Sequence, residues 1–136
     1  MSIIWREEYS VGVKEIDLQH QHFIELMNKA YTAVYNNATK EDILKFVDEL
    51  LTHGYNHFQT EEKYFDKFKY PLAEEHKKIH ASLLEQAGAF KITINNALDY
   101  GKEVSKLVDF LEDWLVDHML TEDMKYSPFF IQHGLS

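Results

Sequence analysis

Residues 71–94, PLAEEHKKIHASLLEQAGAFKITI, place Ile79, Leu83, Ala87, Phe90 and Ile94 at steps of three and four. That is the spacing of one face of an α-helix. His76 and His80 fall on the same stripe. The helix is expected to begin near Pro71, because proline disfavours α geometry at the residue before it and Tyr70-Pro71 therefore interrupts what precedes. It is expected to end before Asp99. A helix that turns two imidazoles toward a core, four residues apart, sets both the fold class and the kind of site to look for.

Working outward, three more segments show the same period. One runs from about Leu18 to Asn37, with Asp17 as the expected N-cap and Phe23, Ile24, Met27, Tyr31 and Val34 on its apolar face. The next runs from about Lys40 to Lys67. Thr39 is its expected N-cap, Glu41 and Asp42 sit in the first turn where the helix dipole favours negative charge, and its stripe is Ile43, Phe46, Leu50, Tyr64 and Phe68. The last runs from about Tyr100 to Leu120 with Val104, Leu107, Leu111, Trp114 and Leu115 on one side. Residues 1–16 and the stretch leading to Ser136 read as irregular arms that pack on the body through Trp5, Tyr9, Val11, Val13, Phe129, Phe130 and Ile131. Four amphipathic helices with short connections predict an all-α, up-down-up-down four-helix bundle with N- and C-terminal arms.

Composition narrows the classes. A chain of 136 residues suits one domain, here residues 1–136. The absence of cysteine excludes disulfides, thiolate metal sites and a thiol nucleophile. Five glycines and two prolines are too few turn residues for a β-sandwich or barrel. A net charge of −9 repels phosphate backbones, so nucleic acid is not an expected partner. No apolar run approaches a membrane span, and Glu7 and Glu8 stand where a signal peptide would be apolar, which points to a cytoplasmic protein. No apolar helix face is left over, so a monomer is expected.

Eight histidines stand out. His76 and His80 are four apart, as are His57 and Glu61, and residues at i and i+4 share a helix face about 5–6 Å apart at Cβ. Such a pair alone is weak evidence. The surroundings strengthen it. His20, His57, Glu61, His76, His80 and His118 all align with apolar stripes, and burying that many polar groups costs several kcal/mol unless they are paired or hold a metal. Their depths also agree. In an antiparallel bundle the start of one helix lies beside the end of the next. His20 is near the start of the first helix, His57 and Glu61 are toward the end of the second, His76 and His80 near the start of the third, and His118 at the end of the fourth. All reach one end of the bundle. Asp123 lies one turn beyond His118, where the chain could turn its carboxylate inward; Glu122 competes for that place.

Five imidazoles with carboxylates are too many ligands for a tetrahedral zinc and too nitrogen-rich for calcium or magnesium. Imidazole with carboxylate suits iron, and two octahedral ions would use the whole set with one position left for a small ligand. The Glu-x-x-His pairs of carboxylate-rich di-iron bundles are absent.

Asp17-x-x-His20, His57-Phe58-x-x-Glu61, His76-Lys77-Lys78-Ile79-His80 and Trp114-Leu115-Val116-Asp117-His118-x-x-x-x-Asp123 together resemble the hemerythrin family, in its free-standing single-domain bacterial form, from Trp5 to about Tyr126. The resemblance implies two iron ions in a non-heme centre, carboxylate- and oxo- or hydroxo-bridged, that binds O₂ reversibly for transport, storage or delivery. It implies that His76, His80 and His118 hold one iron, that His20 and His57 hold the other, which has the open position, and that Glu61 and Asp123 bridge. It selects Asp123 over Glu122. Phe58, Trp114, Leu115 and Met119 are candidates for an apolar pocket that excludes water.

Other residues read more plainly. His22 should face away from His20, His133 should be solvated, and His53 should support the ligands or pack in the core. Glu74, Glu75 and Asp66 belong to a solvated face, and the eight tyrosines to the core. A di-iron oxidase or peroxidase is the alternative function, but no general acid or nucleophile stands beside the expected site, so an enzyme is not expected. A sensor of oxygen or redox state is another, and would want an output domain. A bundle with purely structural histidines is the last. The acidic surface would tolerate docking to a basic, oxygen-consuming protein.

Overall fold

The computed structural model describes residues 3–136. The opening positions of the expected N-terminal arm, 1 and 2, lie outside the described residues. A 3₁₀ turn, Glu7–Tyr9, leads into helix α1, Lys14–Tyr35, followed by α2, Lys40–Phe68, α3, Ala73–Asn96, and α4, Tyr100–His118. A π turn, Met119–Asp123, then joins α4 to α5, Met124–Gln132. No strand occurs among the described residues. The helices contact one another in a ring, α1 with α2, α2 with α3, α3 with α4, and α4 with α1. This is the expected four-helix bundle.

Connections are short because caps stop the helices cleanly. Asn37 and Lys69 take the left-handed conformation at the ends of α1 and α2. Thr39 caps α2 by accepting from Asp42 N–H at 3.2 Å, and Asp99 caps α4 by accepting from Lys102 N–H at 3.1 Å. Between the helices lies one long core. It includes Phe23, Met27, Val47, Leu50, Leu83, Ile94, Val104 and Leu111, so the stripes read from the sequence are the faces buried.

Two boundaries differ from expectation. Helix α1 begins at Lys14, a turn earlier than Leu18, and Val13 is its N-cap without a side-chain bond. Asp17 is therefore inside the helix. Its carboxylate accepts from the Ser10 hydroxyl and from Val11 N–H at 2.9 Å, tying the arm to α1 instead of capping it. The C-terminal arm is helical. Tyr126 and Phe130, four apart, are fully buried with Val11, Val13, Ile16, Phe65 and Tyr70 in a second apolar cluster. That burial holds α5 in place despite Pro128 within it. The arm crosses α5 closely: Gly12 has φ 74°, and a Cβ there would lie 2.9 Å from Ile131 Cδ1. The positive φ favours glycine there, whereas the Ile131 side-chain tip, half exposed, could shift. Tyrosines are also more exposed than expected. Tyr9, Tyr70 and Tyr126 are buried, whereas Tyr35 and Tyr55 face solvent.

Candidate metal centre

At one end of the bundle, His20, His57, Glu61, His76, His80, His118 and Asp123 are all buried. Each helix of the ring supplies at least one of them. Their donor atoms form two groups, Glu61 with His76, His80 and His118, and Glu61 with His20 and His57, each within 4.8 Å. Glu61 belongs to both. Its Oε1 lies 3.3 Å from His57 Nε2 and 3.2 Å from His80 Nε2. Asp123 also spans the groups. Its Oδ1 is 3.0 Å from His118 Nε2 and 3.3 Å from His76 Nε2, while its Oδ2 is 3.2 Å from His20 Nε2.

The π turn explains how Asp123 arrives there. In an α-helix, residue 122 would return to the face of His118. One wider turn shifts that return by a residue and buries Asp123, while Glu122 turns outward to Lys125 at 3.0 Å. The expected competition between them is settled geometrically for burial: Asp123 is in the cluster and Glu122 is not.

The polar atoms are poorly satisfied by one another. Glu61 Oε1, both Asp123 oxygens, and Nε2 of His20 and His80 are buried without a well-directed hydrogen bond. His76 Nε2 and His118 Nε2 stand 3.1 Å apart. Ring nitrogens and carboxylate oxygens crowded on a common space, several without a well-directed hydrogen bond, are arranged for a cation. The donor set of imidazole nitrogens and carboxylate oxygens fits a first-row transition metal such as iron.

Ring orientation is set from behind. His57 Nδ1 donates to Gln19 Oε1 at 2.7 Å, and His80 Nδ1 donates to Glu62 Oε2 at 3.0 Å. With Nδ1 engaged from behind, Nε2 is the nitrogen each ring turns toward the cluster. Tyr126 donates its hydroxyl to Glu61 Oε2. His53, half-buried, donates Nε2–H to the Gln19 carbonyl at 2.8 Å, tying α2 to α1. His22 is exposed. His133 is exposed too, but donates Nδ1–H to the Phe129 carbonyl at 2.8 Å, closing the end of α5. Glu74, Glu75 and Asp66 are solvated.

Electrostatics favour the ionised carboxylates. Burial and Asp123 push the Glu61 carboxyl upward, but His57 and His80 outweigh them and hold it below the usual range. Burial likewise opposes ionisation of Asp123, and His118, His20 and His76 overcome it. Burial would lower the His80 imidazole, yet Glu61 and Glu62 raise it to about 9. Burial lowers His57.

Apolar rings wall the cluster. Phe58 stacks on His80 at 3.8 Å between centroids, and Trp114 stacks on His118 at 4.2 Å. Leu115 and Met119 are fully buried in the adjoining core. The walls are built chiefly against the three-histidine group; Phe58 also lies 5.9 Å from His57.

Gln19, Glu62 and Tyr126 were not anticipated from the sequence. Adjacency to His20 and Glu61 was the available signal for the first two.

The hemerythrin HHE cation binding domain family model matches residues 11–130. A bacteriohemerythrin of Clostridium acetobutylicum is 28% identical over 90% of this chain and 97% of that protein. Hemerythrin subunit alpha of Lingula anatina is 30% identical over 90% of each. A crystal structure of wild-type hemerythrin superposes with a TM-score of 0.82 at 25% identity, covering 93% of this chain and 95% of that one.

Proposed function

The chain belongs to the hemerythrin family, and from that premise we propose that it binds O₂ reversibly at a non-heme di-iron centre, for transport, storage or delivery of oxygen. His76, His80 and His118 would hold one iron, His20 and His57 the other, and Glu61 and Asp123 would bridge. The observation that carries this reading is the sharing pattern. Glu61 belongs to both donor groups, and the two Asp123 oxygens face different histidine sets. When bound, a ferrous pair supplies the two electrons that O₂ takes up reversibly.

The protein's own side chains then have definite tasks. Gln19 and Glu62 hold the His57 and His80 rings with Nε2 facing the cluster. Tyr126 fixes Glu61 through Oε2 and leaves Oε1 to the cluster. Phe58, against both groups, and Trp114, against His118, would limit the access of water to the cluster. The stripes of all four long helices turn inward, which supports a monomer. No helix is long and apolar enough to cross a membrane among the described residues, and a cytoplasmic setting fits that. The acidic surface, at net charge −9, would suit a basic oxygen-consuming partner.

The test is to load the metal-free protein with Fe(II) anaerobically, count iron, then admit and remove oxygen while recording the visible spectrum. Two irons per chain and a band that comes and goes with oxygen are expected. Fewer than two irons, or no oxygen-dependent band, overturns the proposal. Irreversible bleaching with substrate turnover would make the protein an enzyme. In the same assay His76→Ala should lose half the iron or more.

A further inference from the structure

The two donor groups differ in what stands behind them. In the three-histidine group, His80 Nδ1–H is backed by a carboxylate, Glu62, at 3.0 Å. In the two-histidine group, His57 Nδ1–H is backed by a neutral amide, Gln19, at 2.7 Å. His20, also in that group, has a buried Nδ1 with no partner. A carboxylate behind an imidazole pulls on its proton and makes the opposite nitrogen a stronger donor. Charge-assisted hydrogen bonds are roughly twice as strong as neutral ones. The Glu62 side chain is only 22% exposed, so solvent does not fully screen its charge.

We propose that Glu62 and Gln19 make the two metal positions unequal. The carboxylate behind His80 tightens the three-histidine position, and the neutral amide behind His57 leaves the two-histidine position the weaker and more readily emptied. Both are positioning residues that act through a ligand. The inference rests on the two-metal reading above. Ligand number alone already favours the three-histidine side, so the test must change charge while keeping the ligands.

Two substitutions do this. Glu62→Gln keeps an oxygen that accepts from His80 but removes the charge. Gln19→Glu places a charge behind His57. Co(II) serves as an oxygen-stable probe that needs no activity assay. The metal-free proteins are titrated with Co(II) against a competing chelator, and the ligand-field bands are followed. Wild type should bind two Co(II) in two resolved steps, and His57→Ala should remove only the weaker. Glu62→Gln should weaken the tighter step about 10–100-fold and leave the other unchanged. Gln19→Glu should tighten the weaker step and narrow the gap. Unchanged steps in Glu62→Gln, or equal weakening of both, would overturn the inference and leave the two-metal reading standing, as would equal steps in wild type. Uptake of fewer than two Co(II) by wild type would overturn both.

Discussion

Tyr70 buries its hydroxyl without a partner, between Phe65 and Phe129 whose ring centroids are each 5.1 Å away. Desolvation, reinforced by the carboxylates of Glu122, Asp123 and Glu75, pushes its phenol up to about 12. An unfolded tyrosine titrates near about 10. The folded chain thus holds the proton more tightly, so this contribution to stability is complete below about pH 10 and is lost as the pH climbs toward about 12. Tyr70→Phe removes an unsatisfied hydroxyl as well as the titration. It should stabilise the fold by about 1 kcal/mol at neutral pH. It should also flatten the alkaline fall in stability. Denaturant melts at pH 8 and pH 11.5 check both; equal losses in wild type and variant would count against the argument. Residue by residue, what could be read in advance depended on anomaly. A histidine or carboxylate on an apolar stripe is out of place, so His20, His57, Glu61, His76, His80 and His118 announced themselves. Gln19 and Glu62 did not. Each lies one residue from a cluster member, roughly 100° around the helix, where polar side chains are ordinary.

Among the elements, the π turn at Met119–Asp123 decides the most. It widens one turn between α4 and α5, and so gives the inward place to Asp123 and the outward place to Glu122. Asp123→Asn would leave an amide NH₂ facing imidazole nitrogens and one less anion between the donor groups. That variant should lose at least one of two irons per chain. Glu122→Gln should keep both, and should change stability at neutral pH by less than about 0.5 kcal/mol, since its direct side-chain contact is with exposed Lys125. Metal analysis of the two variants, loaded side by side, decides the matter; the reverse outcome would exchange their roles. The same turn explains why the C-terminal segment reads as irregular in sequence although it is helical. Counting about 100° per residue carries the apolar face of α4 only as far as the widened turn. Beyond it the register slips by a residue, and Tyr126 and Phe130 pack not between the four helices but in a second cluster with the N-terminal arm, Phe65 and Tyr70. The four long helices suffered no such slip. Their order and inward faces were legible for that reason. The start of α1 is not legible because Asp17 reads as its cap, whereas its carboxylate serves the arm at Ser10 and Val11.

For the molecule as a whole, the cluster joins every long helix at one end: His20 from α1, His57 and Glu61 from α2, His76 and His80 from α3, and His118 from α4. Without a cation, that end buries two carboxylates and five imidazoles, several of whose polar atoms lack a well-directed hydrogen bond. It is where the bundle should open first. The other end rests on apolar residues such as Ile43, Ile94 and Val104 and needs nothing bound. A ligand that binds only the folded chain stabilises it by about 4 kcal/mol when present at a thousand times its Kd. For a chain of this size each kcal/mol moves the unfolding midpoint by about 2–8 °C. Anaerobic loading with Fe(II) should therefore raise the midpoint by on the order of 10–20 °C, and a chelator should reverse the gain. Scanning calorimetry gives the size. Hydrogen exchange gives the place: protection should rise at the start of α1, the end of α2 and the start of α3, and change little around Ile43 and Ile94. A uniform rise along all four helices would mean that the metal-free bundle opens only as a unit, and that the polar end is no weaker than the apolar one.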